Sequence, residues 1–202
     1  LTFQKVSMDG NISGKGLTRN SADFQLNGHI YQVGIKGYNY TNIVTDARLA
    51  AERFNGLVSI NDPNLELKAV GSIDLREGKN TLKIRALLDT AYLQKLNLSE
   101  DSIFVRTELV ADIKGLSLDS LEGTADFRDF KVSYNAESLA LDTIHLDAKR
   151  DKDHRSFILQ TSLADAEIEG EYNFSDLFNN IKTLLKEISL NIQNDKAAIT
   201  NY

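Results

Sequence analysis

The residues best equipped for chemistry in this chain are its three histidines, His29, His145 and His154, and its carboxylates. The histidines are scattered, and none stands at the spacing that gathers ligands around a zinc ion. Asp112, Asp126, Asp142 and Asp147 fall on the polar sides of alternating runs, where solvated carboxylates belong, and no motif sets two of them apart as an acid and a base. The tetrapeptide Asn61-Asp62-Pro63-Asn64 offers oxygens but lacks the spaced ligands and closing Glu of a calcium loop. Turn chemistry accounts for it, with the chain's one proline presetting φ and Asp and Asn bonding back to the backbone. No P-loop, G-x-G-x-x-G or G-x-S-x-G run occurs. Asn39, Asn97 and Asn173 open glycosylation-type triplets, a pattern short enough to arise by chance. With no cysteine there is no thiol nucleophile and no disulfide framework. The residues give no support to an enzyme, a metal site or a cofactor.

Charge narrows the partners. A formal charge of −6 with no basic patch argues against nucleic acid and against a general attraction to anionic headgroups. No apolar run reaches the about 18 residues of a membrane-spanning helix. The chain opens mid-pattern at Leu1-Thr2-Phe3, which reads as a piece of a longer protein or a mature form.

What remains is a set of large apolar faces, and these must be positioned by strands. In Phe54-Asn55-Gly56-Leu57-Val58-Ser59-Ile60 the even positions share one face, and from Leu65 to Leu75 the odd positions do. The turn at Asp62-Pro63-Asn64 makes the pair a β-hairpin. An apolar-x-Gly-x-apolar pattern recurs around Gly10, Gly28, Gly56, Gly71, Gly123 and Gly170, always with Gly on the apolar face. A glycine there marks a bend, a bulge or the close approach of another backbone, so its repetition predicts a sheet that curves sharply along a line. Further strands are predicted over 3–9, 22–35 with a phase change near Gly34, 38–49, 80–88, 103–113, 121–127, 130–136, 139–148, 157–163, 166–172 and 196–200. The run from Lys149 to Arg155 reads as a charged loop tip.

Two stretches break the period of two. From Asp89 to Leu98, the spacing of Leu88, Tyr92 and Leu96 predicts one or two helical turns. From Ser175 to Gln193, Leu177, Phe178, Ile181, Leu184, Leu185 and Ile188 form one apolar stripe, predicting an amphipathic helix with Ser175 at its N-cap. No linker or composition break divides the chain. The fold expected over 1–202 is a single domain, mainly β, a long curled antiparallel sheet resembling a groove-like open barrel, with one amphipathic helix at about 175–193. Such a sheet is too large to stay flat. Periodicity alone favours a filled core, as in a closed β-sandwich or barrel serving as a structural or interaction module. The sharper reading is an open trough whose apolar wall takes acyl chains by area alone.

A resemblance bears on that choice. The segment Gly37-Tyr38-Asn39-Tyr40-Thr41-Asn42-Ile43, then Phe54-Asn55-Gly56, Ile60-Asn61-Asp62-Pro63-Asn64-Leu65 and Gly71-Ser72-Ile73-Asp74-Leu75, resembles TamB-family proteins of the Bacteroidetes type, within the AsmA-like group. Ala91 to Leu98, and Gly170-Glu171-Tyr172 leading to Ser175, are similar to segments of that group as well. The resemblance implies a β-taco groove in a long periplasmic protein anchored at the inner membrane. It implies carriage of phospholipid between the two membranes, and a part in outer-membrane protein assembly with an Omp85-type barrel as partner. Against that pattern, the sequence is expected to be without the family's membrane anchor and the C-terminal domain that would meet the barrel, which puts partner binding by this segment in question. In such a groove the acyl chains would touch Phe54, Val58, Ile60, Leu65, Leu67, Ile73, Leu75, Leu82, Ile84, Ile103, Val105, Leu109, Phe127 and Phe157.

Overall fold

A computed structural model describes residues 3–173 apart from 17, 19, 20, 116 and 136. The helix expected at 175–193 and the strand at 196–200 lie outside the described residues. The described chain is one eleven-stranded antiparallel sheet in which every strand pairs with its neighbours in sequence, from β1 at one edge to β11 at the other. The strands are β1 (Phe3–Lys15), β2 (Asp23–Ile35), β3 (Tyr38–Ala50), β4 (Arg53–Asp62), β5 (Leu65–Asp74), β6 (Thr81–Tyr92), β7 (Ile103–Lys114), β8 (Glu122–Tyr134), β9 (Glu137–Asp151), β10 (His154–Thr161) and β11 (Asp165–Glu171). The edge strands do not meet, so the sheet is not closed into a barrel. Among the described residues there is no α-helix, only a 3-10 turn at Leu118–Ser120.

Directly paired residues of antiparallel strands point to the same face, so the register fixes which side chains lie together. One row runs Leu49, Phe54, Ile73, Leu82, Ile113, Gly123, Ala148, Phe157, Ile168 from β3 to β11. The opposite face carries Asp46, Lys68, Lys83, Asp112, Asp126 and His145, with exposed pairs such as Lys83–Asp112 at 2.8 Å and His145–Asp126 at 2.6 Å. Pairs this exposed contribute little to stability. No second sheet and no α-helix covers the apolar face among the described residues. Ala47, Ala86, Ala111, Ala125 and Ala148 are nevertheless buried, shaded by larger neighbours in their own sheet.

The structure corrects several expected boundaries. The stretches 121–127 and 130–136, read as two strands, are joined in the single strand β8, Glu122–Tyr134. The apparent break is a register shift opposite Arg106 and Glu108, with Asp129 at φ 47°. Helical turns over 89–98 are replaced by a continuation of β6 to Tyr92, and only Leu93 to Leu98 turn. β6 gains its extra reach at a second register shift, between Leu88 and Ala91. The charged tip at 149–155 is narrower than predicted. β9 runs to Asp151 and β10 begins at His154, leaving Lys152-Asp153 as the turn.

Candidate functional site

The apolar face is the candidate site, and two local devices shape it. The first is glycine crowding. Gly10 pairs with Gly28, and Gly56 with Gly71. A Cβ built on Gly56 would fall 2.4 Å from the Cα of Ala47, and one on Gly71 would fall 2.1 Å from the Lys83 carbonyl oxygen and 2.9 Å from the Cα of Ile84. A Cβ on either residue points to the apolar side. Contacts this short mean that the neighbouring strand leans over that side, leaving no room for a side chain. Gly123 is crowded by the Asp112 carbonyl in the same way and also has φ 122°, a conformation that L side chains rarely adopt.

The second device is a line of bulges. Register shifts occur between Ser7 and Met8, Glu66 and Leu67, Leu88 and Ala91, and Arg106 and Glu108. These four border the row Met8, Ile30, Ile43, Ile60, Leu67, Leu88, Thr107, and a fifth, between Phe3 and Val6, lies off it. A bulge bends its strand and increases the local twist, so bulges on one level bend successive strands together. The phase change expected near Gly34 belongs to this line. It falls between Ile30 and Val33 on β2 and at Asn42, φ 52°, on β3, and it turns Val33 and Tyr40 onto the apolar side.

One end of the face is roofed. Val33, Tyr40 and Ile43 pack with Leu96, which has 0 % exposure, and Ile60 and Leu65 pack against them. Leu96 comes from the connection between β6 and β7, which crosses back over the sheet. Asn97 Nδ2 donates to the Lys36 carbonyl at 3.4 Å in the turn between β2 and β3. Beside this cluster Asp62 is only 5 % exposed. Its carboxylate accepts from the Tyr38 hydroxyl, from Thr41 N at 3.0 Å, from Thr41 Oγ1 at 2.9 Å and from Asn64 N at 2.9 Å. Burial pushes the Asp62 carboxyl up, but these donors together outweigh it and hold the group below the usual Asp value. Burial and the Asp62 contact push Tyr38 up. The saturated carboxylate is a structural clamp between β3 and β4, with no valence left for a ligand. At the other end, Arg155 on β10 is buried, and its Nη1 donates at 2.6 Å to the carbonyl of Asp119 in the 3-10 turn.

Between these ends the face is open. Phe54, Val58, Leu67, Ile73, Leu82 and Ile84 surround an almost wholly apolar hollow of about 170 Å³ floored by Gly56 and Gly71. These six lining residues from the sequence reading are thus brought together. Ile60 and Leu65 sit under the roof. Leu109 pairs with Phe127 farther along, Val105 with Ala91, Ile103 with Tyr134, and Phe157 with Ala148. Leu75 falls past the end of β5, at the rim, with 51 % of its surface exposed. Val33, Tyr40, Ile43 and Leu96 were not among the lining residues read from the sequence. For Leu96 the signal was its spacing from Leu88 and Tyr92, read there as helical periodicity.

A larger hollow, about 890 Å³, lies on the opposite face, lined by residues that include Leu57, Lys68, Val70, Arg85, Val110 and Arg128. A twisted sheet is saddle-shaped, so each face is concave along one diagonal. In this outer hollow the charged Lys68, Arg85 and Arg128 stand among the exposed apolar side chains Leu57, Val70 and Val110. Among the described residues no group of His, Asp and Glu could hold a metal ion, and no helix is long and apolar enough to cross a membrane. Comparison with protein-family models, with curated proteins and with solved structures finds no match in any of the three.

Proposed function

We propose that the sheet is a segment of a lipid conduit, curled so that its apolar face forms the inside of a groove that takes phospholipid acyl chains. The observation that carries this reading is the continuity of that face. Apolar or small residues stay in register across the strands, so eleven strands spaced about 4.8 Å apart would make a wall about 48 Å across. Gly56, Gly71 and the bulge line support the curl, because both tilt neighbouring strands toward the apolar side. A filled-core domain needs a second layer or closure, and the described residues supply neither.

The energetics suit passage better than storage. A buried methylene gives about 0.8 kcal/mol, so a half-buried one gives about 0.4 kcal/mol. About ten such methylenes give about 4 kcal/mol, near the binding energy of a 1 mM Kd. Binding of that strength is distributed and reversible, and a chain can slide along an apolar wall that offers no hydrogen bond to hold it. The open side leaves the headgroup in water, in keeping with the absence of a basic patch in the sequence. The similarity to TamB-like proteins supplies the setting for this proposal: the periplasm, transfer between inner and outer membranes, and an Omp85-type barrel met through parts beyond this segment.

Native mass spectrometry of the purified chain, with a photoreactive residue at Ile84, tests the reading. Near-stoichiometric phospholipid and cross-links from Ile84 but not from Lys83 on the other face support it. A lipid-free chain that also takes up no added phospholipid overturns it in favour of a structural or interaction module.

A further inference from the structure

The outer side of the sheet is not uniformly polar. Much of it pairs its own charges: Arg48 meets Asp23 at 2.9 Å, Lys83 meets Asp112 at 2.8 Å and His145 meets Asp126 at 2.6 Å. The hollow of about 890 Å³ interrupts that pattern. Leu57, Val70, Arg85 and Val110 are direct cross-strand partners from β4 to β7, so their side chains stand side by side. The three apolar ones keep between 42 and 54 % of their surface exposed. One row over, Lys68, Leu87, Glu108 and Arg128 are partners in the same way from β5 to β8. Among the described residues, Lys68, Arg85 and Arg128 take part in no ion pair. Register alone gathers these three cations, which are far apart in the sequence. Of the two carboxylates in the hollow, Asp126 is already bonded to His145, and Glu108 alone leaves the cations in excess.

Exposed apolar groups rimmed by charge mark a surface that meets a partner. We propose that this hollow docks an acidic amphipathic helix of a partner protein. Its apolar stripe lies on Leu57, Val70 and Val110, and its Asp or Glu side chains reach Lys68, Arg85 and Arg128. Backbone accounting favours a helix over a strand. β4 to β8 lie inside the sheet and pair on both sides, so an extended segment laid over them finds no ladder to join. A helix satisfies its own N–H and C=O groups. Shape and charge disfavour a membrane. A planar surface does not follow a concave hollow, and it would meet Asp46 and Asp112 on the rows beside it. The formal charge of −6 opposes an anionic bilayer further. The hollow crosses five strands, four spacings of about 4.8 Å, so it is about 19 Å long and matches a helix of about 13 residues. The inference is independent of the lipid reading, which concerns the other face.

The probe is a synthetic, fluorescein-labelled stapled helix of about 14 residues, with Leu along one stripe and Glu on both flanks. Two control helices carry Gln or Lys in place of every Glu. Fluorescence anisotropy with the full chain should show saturable binding of the Glu helix, at least about tenfold tighter than of either control and weakening as salt rises. Arg85→Glu should weaken the Glu helix by about tenfold and strengthen the Lys helix, a reversal that a folding defect does not produce. Val70→Asn should weaken the Glu helix by about fivefold through lost apolar contact. Both side chains are exposed, so neither change removes a packed group from the sheet. Lys83→Ala, on the same face but already paired with Asp112, should leave binding unchanged. Absence of saturable binding, equal binding of the three helices, or affinity indifferent to both Arg85→Glu and Val70→Asn overturns the proposal. Binding to phosphatidylglycerol vesicles without binding to the Glu helix overturns it in favour of a membrane surface.

Discussion

Gly71→Ala isolates the crowding that bends the sheet. Gly71 sits in the middle of β5, opposite Gly56 on β4 and Ile84 on β6. Its φ is not in the positive region, so alanine meets no backbone penalty there, and any effect is steric. A methyl group 2.1 Å from the Lys83 carbonyl must move to at least 3.4 Å to reach ordinary contact, so β6 has to retreat by about 1.3 Å. Overpacking of this kind costs about 1–3 kcal/mol, and each strained ladder hydrogen bond adds about 1 kcal/mol. Replacing glycine within a strand returns about 0.5–1 kcal/mol. The net expectation is a destabilisation of about 2 kcal/mol. With a urea slope of about 2 kcal/mol/M, the unfolding midpoint falls by about 1 M. Ser72→Ala, on the other face of the same strand, should stay within about 0.5 kcal/mol. A Gly71→Ala protein as stable as its parent, or more stable, would refute the crowding and with it the argument that glycine pairs tilt β6 over the apolar side. Lipid capture at Ile84 should fall in the same variant, because a methyl group on Gly71 enters the hollow that Gly71 and Ile84 both line.

Leu67→Asp places a carboxylate in the open strip, where an apolar surround disfavours the charged form, and should reduce capture of an acyl probe at least about tenfold. Lys68→Ala, on the opposite face, should leave capture unchanged. Asp62→Asn removes the charge that four donors share and should cost about 2–3 kcal/mol by urea unfolding. The pH dependence has a definite sign. The folded Asp62 carboxyl titrates below the unfolded one, so its stabilisation is complete above the ordinary Asp value of 3.8 and is lost as pH falls through the lower folded value. Asp74, which Arg76 draws down to about 2, acts in the same direction over pH 4 to 2. The acid limb of stability should therefore be shallower in Asp62→Asn, and an unaltered limb would count against the clamp. Arg155→Met should free the 3-10 turn, seen as amide exchange at Asp119 and Ser120 faster by about tenfold with little change in β4 and β5.

Much of the architecture was legible in the sequence because alternation is a local property. The hairpin at 53–74, the antiparallel strands and the face on which Phe54, Leu67, Ile84, Leu109 and Phe127 lie follow from a period of two, which needs no knowledge of the partner strand. The glycines were also legible as sites of close approach, since only the missing Cβ was needed to infer it. Their arrangement was not: they meet as cross-strand pairs, Gly10 with Gly28 and Gly56 with Gly71, because pairing depends on register. The bulges at Leu88–Ala91 and beside Asp129 were invisible for the same reason. On one strand they look like a helical turn or a strand end, and only the neighbouring strand shows that pairing continues past them. Leu96 marks the limit most clearly. Its spacing from Leu88 and Tyr92 fits a helix, and nothing local indicates that it will be buried against Val33, Tyr40 and Ile43. Sequence alone determined which face is apolar, because side-chain direction is set residue by residue along a strand. Only the tertiary structure decided how wide that face remains, because width depends on which distant segment folds back across it.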